Sequence, residues 1–548
     1  MRNLLISTGL ALLAASGCNE SPDALKDPPV LKVTSPTRSL IRGQAGSVTV
    51  TGTVAPNAES GEPITKVLVN NVQATVSPDG AFTATINVFP GATLIHTTAR
   101  DAGGAEASDT RAMHAGELRP VGGMIENSLT AAVSPQAFAK LSAAAGPMIE
   151  TVDMGAMLAP MQPMVHAGDE AGPDCLYGRL FVDDVTMRNV DISLIPTNAG
   201  LQFRAQIDGL AVPGHANYAA ACVDGSNTLN ISASRVVVSG ILVVEPRGNQ
   251  GFATSLTEET VTITGLDIEA SGIPGSVIDL LSIDTAVGYI VSKAAPLAME
   301  PMLNKALGGF DGPQQFDVMG KSLTIEVDPT AIDIAASGAY ITLSTKALIG
   351  GAAGGPGYVF TDNGLPAMDP GTGLQLGLAD DLANTMMAQF GQIGMLNIGM
   401  EAHGGTFDRT DMAMTLPPMI SADPVDGKMK VIIGDMISTY SDHGTPVAKA
   451  AINASIDLKV VPANNGYGVA LELGTPTVYV TTMDDIANVT QMSARDLSDA
   501  TEVSVQAQVT AISKLLVNIP IPSVAGVQMR NVQIGSDDGY VMVKADVQ

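Results

Sequence analysis

Three cysteines, six histidines and a scatter of carboxylates carry the most chemistry in this chain, and their spacing decides what they can do. The histidines stand singly at 96, 114, 166, 215, 403 and 443, whereas zinc sites and acid-base pairs need convergent groups. No G-x-S-x-G elbow and no H-E-x-x-H occurs, and Met319-Gly320-Lys321-Ser322 lacks the earlier glycine that a phosphate cradle requires. The acidic stretches Asp423-Pro424-Val425-Asp426-Gly427 and Ser536-Asp537-Asp538-Gly539 lack the ligand spacing of an EF-hand loop and read as plain turns. The expectation is a protein that is not an enzyme, with no catalytic residue, no metal and no cofactor.

Cys18 stands at the end of a segment with its own logic. Met1-Arg2-Asn3 is a charged tip, Leu4 to Ala15 is apolar, and Ala15-Ser16-Gly17 places small residues before the cysteine. This is the anatomy of a secretory signal; the run is shorter than the about 20 apolar residues that cross a bilayer. Small residues directly before a cysteine resemble the bacterial lipobox, with Ala15 where leucine is usual. The resemblance implies that residues 1–18 are a lipoprotein signal peptide and lipobox, with diacylglycerol placed on Cys18 and cleavage leaving that cysteine as the new N-terminus. An ordinary signal peptide with an incidental cysteine is the other reading. Asn19 follows rather than the aspartate that retains lipoproteins at the inner membrane, so the expected address is the bacterial cell envelope, lipid-anchored at the outer membrane on its periplasmic or outer face.

In such an oxidising compartment the remaining Cys175 and Cys222 most simply form one disulfide. A metal site is the rival, and no clustered histidine supports it. Against 28 Lys and Arg stand 55 Asp and Glu, a net charge of -27, which repels nucleic acid and anionic lipid headgroups. Aromatics are 4% of residues with no Trp, while Met numbers 26. Flexible Met suits cavities that repack around apolar guests, and equally fills ordinary cores.

The 548 residues allow several domains. Residues 19–29 are a polar tether with prolines. Over 30–115, short alternating strands such as Val48-Thr49-Val50-Thr51 and Phe82-Thr83-Ala84-Thr85-Ile86, with the turn Pro78-Asp79-Gly80, predict a β-sandwich. Leu31-Lys32-Val33-Thr34-Ser35-Pro36, Val50-Thr51-Gly52-Thr53-Val54 and Ala99-Arg100-Asp101-Ala102-Gly103-Gly104 resemble bacterial immunoglobulin-like modules, which are mostly spacers or adhesive units. Ser134-Pro135 then opens a helix with Phe138, Leu141, Ala145, Met148, Ile149 and Val152 on one face. Long strands of period two follow, including Val190, Ile192, Leu194 and Leu201, Phe203, Ala205, Ile207. One helix after Gly275 carries Val277, Leu281, Ile290, Val291 and Leu303. A Gly-rich joint at 350–357 predicts a boundary. Beyond it Asp380 caps a helix with Leu382, Met386, Phe390 and Ile393 in register, strands return, and a last helix spans 499–518.

Helix, strands, helix, strand thus occurs twice, and here the C-terminal part resembles the tubular lipid-binding family of bactericidal/permeability-increasing protein. Gly377-Leu378-Ala379-Asp380-Asp381-Leu382-Ala383-Asn384 is similar to the helix opening that family's second barrel. Ile519-Pro520-Ile521-Pro522 through Gly539-Tyr540-Val541-Met542-Val543 resembles its last strand, and Val185-Thr186-Met187-Arg188-Asn189-Val190 its early strands. The resemblance implies an α+β fold: two tandem tubular halves, 120–348 and 358–548, each a curved antiparallel sheet wrapped on a long helix, behind the N-terminal all-β sandwich. It implies a phospholipid or another acyl-chain lipid as partner, bound or transferred, besides the membrane reached through Cys18; a protein partner is not identified by the sequence. The apolar stripes nominate Phe138, Leu141, Met148, Ile149 and Val152, and in the second half Leu382, Met386, Phe390 and Ile393, as lipid contacts. Two departures stand out: the basic tip of the antibacterial members is missing, and Cys175 with Cys222 would tie early strands rather than strand to helix. A structural or adhesive surface lipoprotein without cargo is the alternative.

Overall fold

The computed structural model describes residues 28–548 except 173–174, 249–250, 308–312, 319, 353–356, 362–363, 402–406, 423–427, 463–467, 484–496, 498–500, 502–504, 506–518, 521–528, 538 and 548. The signal segment with Cys18, the tether as far as Asp27, His403, the turn at 423–427 and nearly all of the expected helix over 499–518 lie outside these residues.

Strands β1 (Val30–Ser35), β2 (Leu40–Arg42), β3 (Gly46–Ala55), β4 (Ile64–Val69), β5 (Val72–Gln73), β6 (Thr75–Val76), β7 (Ala81–Val88), β8 (Gly91–Asp101) and β9 (Glu106–Ala115) come first. They make two sheets, β1-β3-β7-β6 and β2-β9-β8-β4-β5. Period-two alternation decides the faces: Phe82, Ala84, Ile86 and Val88 are buried along β7 while their neighbours face out. Residues 28–37, Gly46–Asn87 and Ile95–Arg111 form one compact unit, held at its end by Arg111, which donates to the carbonyls of Pro36 and Val33 and pairs with Asp109.

The second unit contains Arg38–Ala45, Val88–Leu94 and everything from Ala112. After β10 (Glu117–Arg119) and β11 (Ile125–Val133) come helices α1 (Pro135–Ile149) and α2 (Met154–Leu158). The strands β12 (Val165–Gly168), β13 (Tyr177–Val182), β14 (Val190–Thr197), β15 (Gly200–Ala220), β16 (Val223–Pro246) and β17 (Phe252–Glu269) precede α3 (Gly275–Leu281) and α4 (Ile283–Leu307). Then follow β18 (Gln314–Val318), β19 (Lys321–Ala335), β20 (Gly338–Ile349), β21 (Tyr358–Phe360), β22 (Leu374–Ala379) and α5 (Asp380–Gln392). The chain continues through β23 (Ile398–Glu401), β24 (Arg409–Ala413), β25 (Met419–Ala422), β26 (Met429–Asp442), β27 (Thr445–Pro462), β28 (Gly468–Leu473), β29 (Thr477–Thr482), β30 (Ile519–Pro520), β31 (Met529–Asp537) and β32 (Tyr540–Val547).

Three larger sheets result: β12-β13-β15-β16-β17 with β14 on β15, β18-β19-β20-β11-β22-β32-β31, and β23-β24-β26-β27-β28-β30 with β25 and β29 added. The fold is mostly β with curled sheets, so strand content exceeds what an even α+β mix implies. The middle sheet takes strands from both sides of the Gly-rich joint, because β11 pairs with β20 on one flank and with β22 on the other. Two local expectations need correction. The helix after Gly275 is two helices, broken at Ser282, whose φ of 45° is left-handed and ends α3. Asp380 is the first residue of α5 rather than its cap, which is Ala379 and makes no side-chain bond.

Ser134 caps α1 as its sequence predicts, its Oγ accepting from the Ala137 N–H at 3.1 Å. The helix then rests directly on the edge of β14. A Cβ on Gly146 would stand 2.0 Å from the Val190 carbonyl, so only glycine permits this approach. Ser142 Oγ accepts from Leu194 N–H at 2.9 Å and Glu150 Oε1 from Val190 N–H at 2.8 Å, which occupies the edge strand's free donors. At the far end, β15 and β16 join through Ala221 and Cys222, both with positive φ, and Cys222 is bonded to Cys175 across a Cα separation of 4.8 Å. Closing a loop of 47 residues contributes about 4 kcal/mol by restricting the unfolded chain.

Carboxamides make the same kind of junction elsewhere. Gln389 on α5 accepts from Ile349 N–H (2.7 Å) and donates to the Ala347 carbonyl (2.9 Å), completing the edge of β20. Asn384 does so at Ile420, Asn304 of α4 at Phe252, and Gln162 at Val182. Gln389 is 0% exposed, so Gln389→Met strands a buried donor and a buried acceptor at about 1–3 kcal/mol each. Denaturant unfolding is expected to show a loss of about 2–6 kcal/mol; Gln136→Met, on the exposed side of α1, is the control that stays near zero.

Candidate functional site

The large core of the second unit lies between α1, α2, α3, α4 and the sheet of β12 to β17, and its walls do not close everywhere. A slot remains where α4 crosses the sheet. Its helical side is Ile290, Val291, Ala294, Ala295, Ala298 and Met299 of α4, with Ile149 of α1 and Met154 of α2. Its sheet side is Val190 and Ile192 of β14, Phe203, Ala205, Ile207, Leu210 and Val212 of β15, and Val238 of β16; Val185 and Met187 close one end. The space between these atoms, open solvent included, is about 560 Å³, and among the described residues no polar side chain lines it.

The reasons for the slot are local. Along β15 alternate side chains point at α4, so all the inward positions from Leu201 to Val212 are apolar. Ala294, Ala295 and Ala298 place small residues among the larger Ile290, Val291 and Met299 on the helical side of the slot. Met154 and Met299 are 1% and 0% exposed. Their unbranched side chains repack at small cost, so the slot is narrow at rest and extensible.

Of the residues nominated by their stripes, Ile149 lines the slot. Phe138 and Leu141 are buried in the adjoining core, Met148 is half-buried, and Val152 lies beyond the end of α1 while packing against the same core. Leu382, Met386, Phe390 and Ile393 form a separate apolar cluster with Leu323, Ala347 and Ile349, under α5. The slot residues of α4 were present in the sequence as part of an apolar stripe. Their distinguishing signal is the run of alanines among larger residues, which leaves room where a filled core has Leu or Ile.

A second, polar cavity lies near the start of α5, lined by Arg119, Glu126, Thr361, Asp381 and Tyr540 among others, with about 390 Å³ between atoms. Arg119 places its guanidinium 3.5 Å over the Phe360 ring and pairs with Glu117. Asp381 is 2% exposed; its Oδ1 accepts from Thr361 N–H at 3.0 Å and the Thr361 hydroxyl at 3.3 Å. Burial, with the neighbouring Asp380 charge second, pushes its carboxyl up to about 8 against those hydrogen bonds. Burial also raises the Tyr358 hydroxyl and lowers His114, whose Nε2 has no partner, to about 4.

Residues 29–116 match the family model of glucodextranase domain B, and this part of the chain is an immunoglobulin-like domain. No curated protein matches the chain. Among solved structures, the crystal structure of a lipopolysaccharide binding protein aligns over 77% of this chain and 99% of its own, at 11% identity and a TM-score of 0.34. P47 from Clostridium botulinum A2 aligns over 77% and 98%, at 8% identity and 0.25, and P47 of Clostridium botulinum E1 over 78% and 100%, at 6% and 0.24. At such scores the likeness assigns no ligand.

Asp381 supplies a pH test. A carboxyl whose folded pKa is raised lets the native state hold a proton that the unfolded chain has released. Its stabilising effect is complete below about pH 4 and is lost as pH rises through about 8. Asp381→Asn is therefore expected to flatten the fall in stability between pH 5 and pH 9 and to stabilise the protein at the alkaline end by a few kcal/mol, on the order of the linked shift. Urea unfolding at a series of pH values reads it; parallel curves for variant and wild type contradict it.

Proposed function

We propose that this chain binds an acyl-chain lipid, with the hydrocarbon in the slot between α4 and the curled sheet and the polar end left toward solvent. The observation that carries the reading is the lining: every side chain around the slot is apolar, so it offers nothing to a sugar, nucleotide or peptide backbone and a favourable surface to methylenes. Each methylene removed from water contributes about 0.8 kcal/mol, and ten of them give about 8 kcal/mol before the cost of ordering the chain. Binding of this kind needs area and no catalytic group, and the reading is of a non-enzymatic protein. In the same reading the body of the chain belongs with the tubular lipid-binding proteins, whose tandem halves each pair a helix with a curved sheet. Phospholipid is the first candidate, held or transferred.

The proposal places the protein in the bacterial envelope, anchored at the outer membrane by lipid on Cys18, with the immunoglobulin-like domain as spacer. A net charge of -27 makes broad adhesion to anionic headgroups unfavourable, so a covalent anchor is the simpler means of staying at a membrane. Cys18→Ser is expected to move the protein from the membrane fraction to the soluble fraction while cargo binding persists; retention of the variant in membranes removes the anchor from the account.

Native mass spectrometry of the purified protein, before and after incubation with phospholipid, tests the cargo. The expected result is an added mass of one lipid. Ala295→Leu with Ala298→Leu fills the slot and should abolish that mass while circular dichroism is unchanged. Wild-type protein that stays empty under lipid excess refutes lipid binding and favours an adhesive or structural lipoprotein.

A further inference from the structure

The hairpin joining β26 to β27 presents three potential metal ligands that neither the slot nor the polar cavity uses. Asp442 pairs with Thr445 across the turn, so His443 and Gly444 are its two central residues, both with positive φ (48° and 80°). A turn of this geometry is usually Asn-Gly, because asparagine tolerates the left-handed region at little cost. Here a histidine takes the place, and it supplies what asparagine lacks: an imidazole nitrogen with a lone pair. Its Nδ1 lies 2.7 Å from Asp442 Oδ1. Asp408, from a segment far earlier in the chain, reaches the same turn, and its Oδ2 accepts from the His443 N–H at 3.0 Å.

One ligand atom from each of Asp408, Asp442 and His443 lies within 4.8 Å of the others. Around a tetrahedral Zn²⁺, with ligands at about 2.0–2.2 Å, such atoms stand about 3.3–3.5 Å apart. Asp408 and His443 are exposed and Asp442 half-buried, so side-chain rotation alone can close the difference. Regular backbone holds the three in place: Asp408 N–H donates to the Ser441 carbonyl at 3.0 Å, and β24 runs in register with β26 from the Arg409–Ser441 pair onward. The adjacent Arg409 directs its guanidinium to Asp411 at 2.8 and 2.7 Å.

We infer that Asp408, Asp442 and His443 form a surface site for a borderline divalent transition metal such as Zn²⁺, open to a water or an external ligand at the fourth position. One nitrogen and two carboxylates suit Zn²⁺, Ni²⁺ or Cu²⁺, whereas Ca²⁺ and Mg²⁺ prefer oxygen alone.

Calorimetric titration of the purified protein with ZnCl2, beside His443→Asn and Asp408→Asn, tests the site. Asparagine at 443 retains the turn, so that variant is expected to fold. Other histidines can add background sites, and the difference between isotherms reads this one. His443→Asn should lose one equivalent of Zn²⁺, and Asp408→Asn should weaken the same equivalent at least tenfold. An isotherm unchanged in His443→Asn overturns the site, as does a wild type that takes up no Zn²⁺. Displacement of the bound Zn²⁺ by tenfold Ca²⁺ overturns the assignment to a transition metal.

Discussion

Buried backbone must find hydrogen-bond partners, and in this protein the helices meet that requirement for the strands. A curled sheet that does not close leaves edges, and each edge exposes donors and acceptors that burial would otherwise penalise. Gln389, Asn384, Asn304 and Gln162 each present a carboxamide to a strand in the manner of one residue of a neighbouring strand. Ser142 and Glu150 do the same with single acceptors at β14. These junctions are directional, unlike apolar packing, so they set how close each helix comes and at what rotation. The slot depends on that spacing: α1 is drawn onto β14 at Gly146 and α4 is held to the start of β17 by Asn304, and the alanines of α4 leave what neither contact fills.

Charge is handled separately from this scaffold. Buried carboxylates have specific arrangements. Asp435 is 0% exposed and accepts from the Arg38 guanidinium at 2.9 Å and from the N–H groups of Ser39 and Ala112. Asp381 has hydrogen bonds without an equally close cation, and it keeps its proton instead. Among the described residues the slot is lined by no such group.

Much of this architecture was legible along the chain. The cap at Ser134, the alternation in β14, β15 and β16, and the turn-rich segment that became the immunoglobulin-like sandwich all follow from local pattern, because side-chain direction repeats every two residues in a strand and every three to four in a helix. The break at Ser282 was less visible: the apolar stripe runs through it, and a single left-handed residue has no strong signature when it is serine. The nominated lipid contacts were stripe positions, and a stripe records which face is buried without recording whether that face is filled. Phe138 and Leu141 are filled core, whereas the less conspicuous alanines of α4 border the open space.

The sequence by itself determined the local elements, the surplus of negative charge and the absence of recognisable catalytic spacing, since each depends on residues near one another in the chain. Only the tertiary structure decided which strands share a sheet, that the sheet of β11 spans the Gly-rich joint, where the slot lies, and that Asp408 meets His443. These are contacts between residues far apart in sequence, chosen by the shapes of packed surfaces and by which buried backbone group each carboxamide could reach.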